Sequence, residues 1–441
     1  MPTDLVVPEE TIREACGEVE FPRMGVIEQI WETDPIPTDE IEDRAAAAVE
    51  ELPFDEVPEG GEVAIGAGSR GIANLPEIVC GVVRGVEESG YEPFVFPAMG
   101  SHGGATAEGQ VDKLATLGVT EESVGCPIRA TMEVVEVGRT PERDVPVYAD
   151  ANAVEAEAIV PVNRIKPHTD FGGDVESGLS KMLVIGMGKQ RGAKTAHDWA
   201  VDWSLRNMLP EITEILLERL PVAGGVAILE DEHDDTDSLE AIPPSGFLKR
   251  EAELLETAWE RMPKLPFDAI DVLVVDQLGK DVSGQGMDTN VTGRRHFTIN
   301  EPEPDSPEVK RIYVRGFTDR TKGNAMGMGQ ADFAHRDVFE GLEPSKTLIN
   351  AITASTVRGV RLPPVVGSDR AGLTAALGTI GPVAGSEARV LRVTDTMRLQ
   401  RCYASEALCE AAREREDLRV VKEAEELEFD AEGEFAAGAP E

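Results

Sequence analysis

Residues 62–97 follow a pattern that few architectures accept. Residues 62–66 (EVAIG) form a short apolar run, residues 75–89 (LPEIVCGVVRGVEES) place apolar side chains at helical spacing, and residues 93–97 (PFVFP) are again a short apolar run, stopped by Gly-Ser-His-Gly-Gly. Strand, helix and strand in this order make a βαβ unit, so the chain is expected to be an α/β protein. The pattern continues. Helical spacing returns over 106–117 and from about 199 to 220, and strands are expected at 133–137, 158–162 and 225–229. Ahead of it, a short strand is expected near 5–7 and an acidic helix over 39–52. At 441 residues, one core is too few. The Pro-punctuated link PKLPFD (263–268) follows a helix at 251–261 and precedes the apolar run IDVLVVD (270–276), so the domains are expected at 1–265, 266–400 and 401–441. The last of these reads as a charged helix from 404, a strand near 418–421 and an acidic tail whose final dozen residues have the composition of disorder. Each main domain is expected to be an α/β sheet unit. The active site is expected in the crevice between them, because ligands of open α/β sheets sit at the C-terminal ends of strands.

The charge excludes several functions. With 83 acidic residues against 42 basic ones the formal net charge is −41, which disfavours nucleic acid and anionic membranes as partners. The acids are spread along the chain, as in proteins adapted to high salt, where screening removes most self-repulsion. Five cysteines without a CxxC pair predict neither a disulfide framework nor a Cys-built zinc site. The N-terminus MPTDLVVPEE lacks the features of a signal peptide, and no apolar run reaches the length of a membrane span, so a cytoplasmic protein is expected.

Reactive side chains concentrate in residues 161–198. The whole chain has twelve Lys and six His, and this stretch alone holds Lys166, Lys181, Lys189, Lys194, His168 and His197. In a chain that elsewhere prefers acids, Lys retained here points to chemistry more than to solvation. GMGKQRGAKT (186–195) is not a nucleotide-triphosphate loop, because Ala193 separates the Gly and Lys that must be adjacent. A Gly-rich backbone with several cations nearby could still hold one phosphate. His102, in MGSHGG, has no apolar neighbours to pack it, and His168, between Pro167 and a Gly pair, is similar. His197 in KTAHDW could be a helix-surface residue. No HxxxH zinc helix occurs.

Taken together, Ser69-Arg70 after a strand, MGSHGG with His102, Pro167-His168, a Gly-rich loop leading to Lys181, and His197 sixteen residues later resemble the nickel-pincer lactate racemase family. The resemblance runs through most of the first domain. It implies a cofactor, nickel held by pyridinium-3,5-bisthiocarboxylic acid mononucleotide, attached covalently to Lys181 and with nickel ligated by His197. It implies a proton-transfer pair in His102 and His168, and cofactor contacts from Ser69, Arg70, Gly172 and Gly173. The family's Asp-x-Thr-Arg motif reads Ala67-Gly68-Ser69-Arg70 here, and its Gln and Lys substrate contacts have no clear counterpart. Lys280, Arg294 and Arg295 are candidates for a replacement carboxylate clamp, since Arg binds carboxylates bidentately. A divergent relative with a different small-molecule substrate is therefore expected, a racemase or epimerase of a 2-hydroxy acid or sugar acid.

The residues suit that chemistry. Inverting a carbon that bears a hydroxyl needs proton-exchanging groups near neutral pH, which His supplies, and a hydride acceptor, which no side chain supplies. The competing reading is a cofactor-free protein that binds phosphate or carboxylate on the same fold. The substrate and the number of copies are left open by the sequence.

Overall fold

The computed structural model describes residues 5–69, 71–295 and 301–440. The chain is an α/β protein of two compact units, Thr33–Met262 on one hand and Met1–Glu32 with Pro263–Glu441 on the other. The division at 262/263 falls close to the expected link. What differs is the beginning and the end of the chain. Met24–Gln29 is a strand flanked by Arg401–Ser405 and Leu418–Glu425, so the first 32 residues belong with the C-terminal unit and 401–441 is not a separate segment. Antiparallel pairing between residues nearly 400 apart leaves no local signature, which is why composition alone assigned them elsewhere.

The Thr33–Met262 unit is built on a five-stranded sheet in the order Glu92–Pro97, Glu62–Ala67, Ala158–Arg164, Gly225–Glu230 and Thr236–Ile242. The first four strands run parallel and the last antiparallel. Strands covered on both faces read as continuous apolar runs, as EVAIGA does, where Val63, Ala64, Ile65 and Ala67 are all fully buried. One face packs Phe94, Phe96, Ile159 and Leu183, and the other packs Val63, Ile65, Val79 and Val160. From Glu62–Ala67 the chain first moves to one neighbouring strand and later returns on the other side. That makes the C-terminal end of this strand a topological switch point.

One helical expectation shifts. Instead of one helix from about 199 to 220 there are two, Lys189–Trp203 and Leu205–Arg219, separated at Ser204. Ser204 has φ 66° and its hydroxyl accepts a hydrogen bond from the Arg206 amide at 3.1 Å, a side-chain cap that restarts the helix. The earlier start reflects small residues read as loop. Gly192 and Ala193 are buried on the inner face of the first helix.

The other unit has a nine-stranded sheet. Val6–Val7, Val365–Val366, Phe333–His335, Glu308–Val314, Ala269–Val275 and Val390–Val393 run parallel, followed by three antiparallel strands. The end of the chain is ordered, against the expectation from its composition. The Phe435 amide donates to Asp369 Oδ2 at 2.9 Å, Arg392 donates to the Ala437 carbonyl at 3.0 Å, and Phe435 stacks on Phe429. Two aromatic residues within the acidic tail supply the apolar surface that its charge conceals. Among the described residues no helix is long and apolar enough to cross a membrane, and all five cysteines are free thiols.

Candidate functional site

Three of the expected residues follow the C-terminal ends of three adjacent parallel strands. Ser69 follows Glu62–Ala67, His102 follows Glu92–Pro97, and His168 follows Ala158–Arg164. Ser69 Oγ and His102 Nδ1 are hydrogen-bonded to each other. Arg70 lies outside the described residues. Just beyond it the Ala73 amide donates to Glu230 Oε1 at 2.8 Å, and the other oxygen of Glu230 pairs with Arg164, which ties the segment after Ser69 to the neighbouring strand.

The loop bearing His102 is held from beneath by a buried charge pair. Lys189 is fully buried, 2.8 Å from the equally buried Asp150, and its ammonium also donates to the Pro97 carbonyl and to Gln110 Oε1. Gln110 in turn donates to the carbonyls of Gly100, at 2.8 Å, and His102. Burial drives the Asp150 carboxyl up and the Lys189 ammonium down from their ordinary values, and their pairing opposes both shifts. Lys189 is thus a structural residue, a correction to the expectation of chemistry. Lys194 is exposed and pairs with Asp198 one turn along its helix.

The loop after Ala158–Arg164 is closed by a bridge between Lys166 and Ser177. Within it the buried Glu176 accepts from the amides of His168 at 2.5 Å and Gly173 at 3.2 Å. The Gly173 amide, a candidate cofactor contact, is therefore engaged by a carboxylate. A side chain at Gly173 would meet Arg206 Cγ at 2.7 Å, so the position needs glycine for close packing. Gly172 is half-buried beside it. The His168 ring stacks on Phe171 at 4.5 Å, and its Nδ1 accepts from the Asp170 amide at 3.0 Å, which puts the proton of the neutral ring on Nε2.

Lys181 ends the short helical turn Leu179–Lys181, and the apolar run after it is a π-helix, Met182–Gly186. π-Turns of this kind recur at functional sites. At Gly186 a side chain would lie 2.4 Å from the Ala98 carbonyl, and the Gly100 amide donates to the Gly186 carbonyl at 2.9 Å. The π-helix and the His102 loop are therefore in direct backbone contact. The Leu179–Lys181 turn is anchored by Glu251, which accepts from the Ser180 amide and hydroxyl. Burial pushes this carboxyl up to about 7, with the bonds from Ser180 and Leu179 opposing. Half-buried His197 lies on the Lys189–Trp203 helix. Burial and the charge of Lys181 hold its imidazole below the ordinary 6.5, while Asp170 and Asp198 pull the other way. His197 thus senses Lys181 and the Asp170 of the His168 loop, and burial favours its neutral form.

Sequence reasoning missed Glu176, Glu251, Gln110 and Asp150. Only their burial marks them, and in so acidic a chain four more polar residues carry no signal. Among the described residues no three His, Cys, Asp or Glu side chains group to hold a metal ion.

The candidate clamp residues lie in the other unit, and each is engaged there. Arg294 donates to the carbonyls of Gln330, Val309 and Lys310 and pairs with Asp332 at 2.7 Å. Arg295 is 3% exposed and donates to Asn290 Oδ1 at 2.6 Å. Lys280 donates to the Gly284 carbonyl at 2.6 Å. The two long loops, 279–295 and 318–333, are knit together by fully buried Gln330, which donates to the carbonyls of Gln285 and Met287 and accepts from Thr292 at 2.8 Å. In this arrangement the three cations organise their own loops.

No family model matches the chain, and no curated protein matches it. Solved structures similar in chain path include the following two. One is a Thermotoga maritima protein, 15% identical, with a TM-score of 0.46 over 78% of this chain and 91% of its own. The other is the lactate racemase apoprotein from Thermoanaerobacterium thermosaccharolyticum, 12% identical, with a TM-score of 0.49 over 85% of this chain and 99% of its own. Likeness at that level says nothing of the site chemistry, which rests on the residues above.

Proposed function

We propose that this protein is an isomerase, a racemase or epimerase of a 2-hydroxy acid or sugar acid that works with a nickel-pincer nucleotide by reversible hydride transfer. One observation carries the reading. Burial first and then the nearby Lys181 ammonium lower the His197 imidazole from its ordinary value, so the two residues that the family resemblance pairs as metal ligand and covalent anchor lie within electrostatic reach of each other before any cofactor is attached. Lys181 would bear the cofactor's thioamide and His197 would ligate its nickel, with Ser69, Arg70, Gly172 and Gly173 as candidate contacts to the nucleotide. When bound, that cofactor supplies the hydride acceptor that side chains lack. The α-hydrogen of a hydroxy acid is far too weakly acidic for an imidazole to remove, so His102 and His168 hold and return only the hydroxyl proton. The hydrogen bond between Ser69 and His102 fixes the ring of His102 for that task, and the Asp170 amide fixes His168 with the proton of its neutral ring on Nε2. The alternative, a cofactor-free phosphate- or carboxylate-binding protein on the same fold, is less supported because simple binding gives no reason for Lys181 and His197 to accompany both His102 and His168.

Two measurements test the reading. In protein produced with the cofactor-synthesis enzymes, Lys181→Ala should lose the covalent mass adduct, whereas His197→Ala should keep the adduct and lose nickel. A full adduct on Lys181→Ala would sink the assignment. With active protein, substrate deuterated at the α-carbon should give product that retains its deuterium in light water, and wash-out of the label would mean proton abstraction from carbon instead.

A further inference from the structure

The helix Pro344–Thr353 is amphipathic the wrong way round for a single chain. It turns Thr347 and Ala351 inward and leaves Leu348, Ile349 and Ile352 outside, where 53%, 65% and 60% of each is exposed. Its inner face is secured by polar contacts. The Ala325 amide donates to Thr347 Oγ1 at 3.0 Å, and Thr347 donates to the Gly323 carbonyl. Val357 and Leu362, just beyond the helix, are also more than half exposed, so five of the eleven exposed large apolar residues among those described fall within 15 positions. A helix normally hides its apolar stripe, and a contiguous exposed patch marks a surface that something covers.

The charge around the patch indicates what covers it. Residues 344–368 contain no Asp or Glu, the longest such stretch in a chain with 83 acids, and they carry Lys346, Arg358 and Arg361. Two copies of a chain with net charge −41 repel each other unless the meeting surface is cleared of acids. The surroundings are also self-complementary. Exposed Glu340 and Glu343 precede the first turn of the helix, and exposed Arg358 and Arg361 follow its last. If two such helices cross about a two-fold axis, Leu348, Ile349 and Ile352 meet their own kind at the centre, and the acids before one helix face the arginines after the other. An apolar centre with a charged rim is the anatomy of a symmetric dimer interface.

We propose that the patch formed by Pro344–Thr353, Val357 and Leu362 is an isologous interface through which two copies of this chain associate, independently of the chemistry assigned to the other unit. Sedimentation velocity of the full chain in high salt, where the mutual repulsion is screened, should show a species of twice the 47.5 kDa chain mass. Ile349→Glu, at the most exposed position, should weaken the dimer about hundredfold or more while leaving the circular dichroism spectrum unchanged. If that variant loses its helical signal, the Leu348→Ser/Ile352→Ser pair carries the same test. Arg358→Glu should also weaken association, and combining it with Glu343→Arg should restore it. A wild-type chain that stays monomeric up to near-millimolar concentration would overturn the proposal, as would a folded Ile349→Glu variant that still dimerises like wild type.

Discussion

At the scale of single residues, the most informative side chain is one whose role the sequence conceals. Lys189 sits among the residues expected to do chemistry, yet it is wholly buried and holds Asp150, Pro97 and Gln110 beneath the His102 loop. Lysine is almost never fully buried unless paired, so its presence implies the partner. Removing one member of such a pair leaves an uncompensated buried charge. Lys189→Met should therefore destabilise the protein by about 3–5 kcal/mol, seen as a lower urea midpoint, and adding Asp150→Asn should recover part of the loss. An unchanged midpoint for the single variant would show that the pair contributes nothing. His197 illustrates the opposite case. It is a candidate by its place in the motif, but the downward shift of its imidazole comes from burial and from Lys181, neither of which the local sequence of KTAHDW reveals.

Among elements, the Leu179–Lys181 turn depends on another element for its position. Glu251, on the helix Phe247–Arg261, accepts from both the amide and the hydroxyl of Ser180, next to Lys181. Its carboxyl is raised from an ordinary 4.5 to about 7 by burial. Because the folded value lies above the unfolded one, the folded state holds more protons throughout that window. The contribution to stability is full below pH 4.5 and falls as the pH rises through about 7, by at most about 3 kcal/mol. Glu251→Gln should flatten this dependence, so that urea midpoints at about pH 5 and about pH 8 differ less than in wild type. Equal pH profiles for the two proteins would dissociate Glu251 from the effect.

For the whole molecule, the division of the chain into units predicts how damage is confined. Residues 427–440 close over the sheet of the Pro263–Glu441 unit. Phe429 packs on Phe21 at 5.2 Å, Arg392 lies 4.6 Å from the Phe435 ring, and Thr394 donates to the Pro440 carbonyl at 3.0 Å. Deleting 427–441 removes two half-buried aromatic groups and these bonds, which should destabilise that unit by about 3 kcal/mol or more. The Thr33–Met262 unit has its own core and should keep its stability. Scanning calorimetry should show one transition lowered and the other in place. A uniform shift of the whole profile, or none, would contradict independent units.

What the sequence determined by itself is everything that depends on neighbours a few residues apart. Period and punctuation marked the strands at 62–66, 93–97, 158–162 and 225–229, the α/β class and the link near 263, because side-chain direction repeats every 2 or 3.6 residues whatever the rest of the chain does. The spacing of Ser69, His102, His168, Lys181 and His197 is likewise a local feature, and the roles proposed for these residues rest on the resemblance it carries. Tertiary structure alone decided which distant segments complete these pieces. Gln29 bonds the Leu399 carbonyl across 370 positions, and Ser180 meets Glu251 across 71. The inward turn of Thr347 in place of Leu348 is a decision of the same kind. Such choices compare burial and pairing over the entire fold, where an acid that anchors a turn and an acid that faces water are spelled with the same letter.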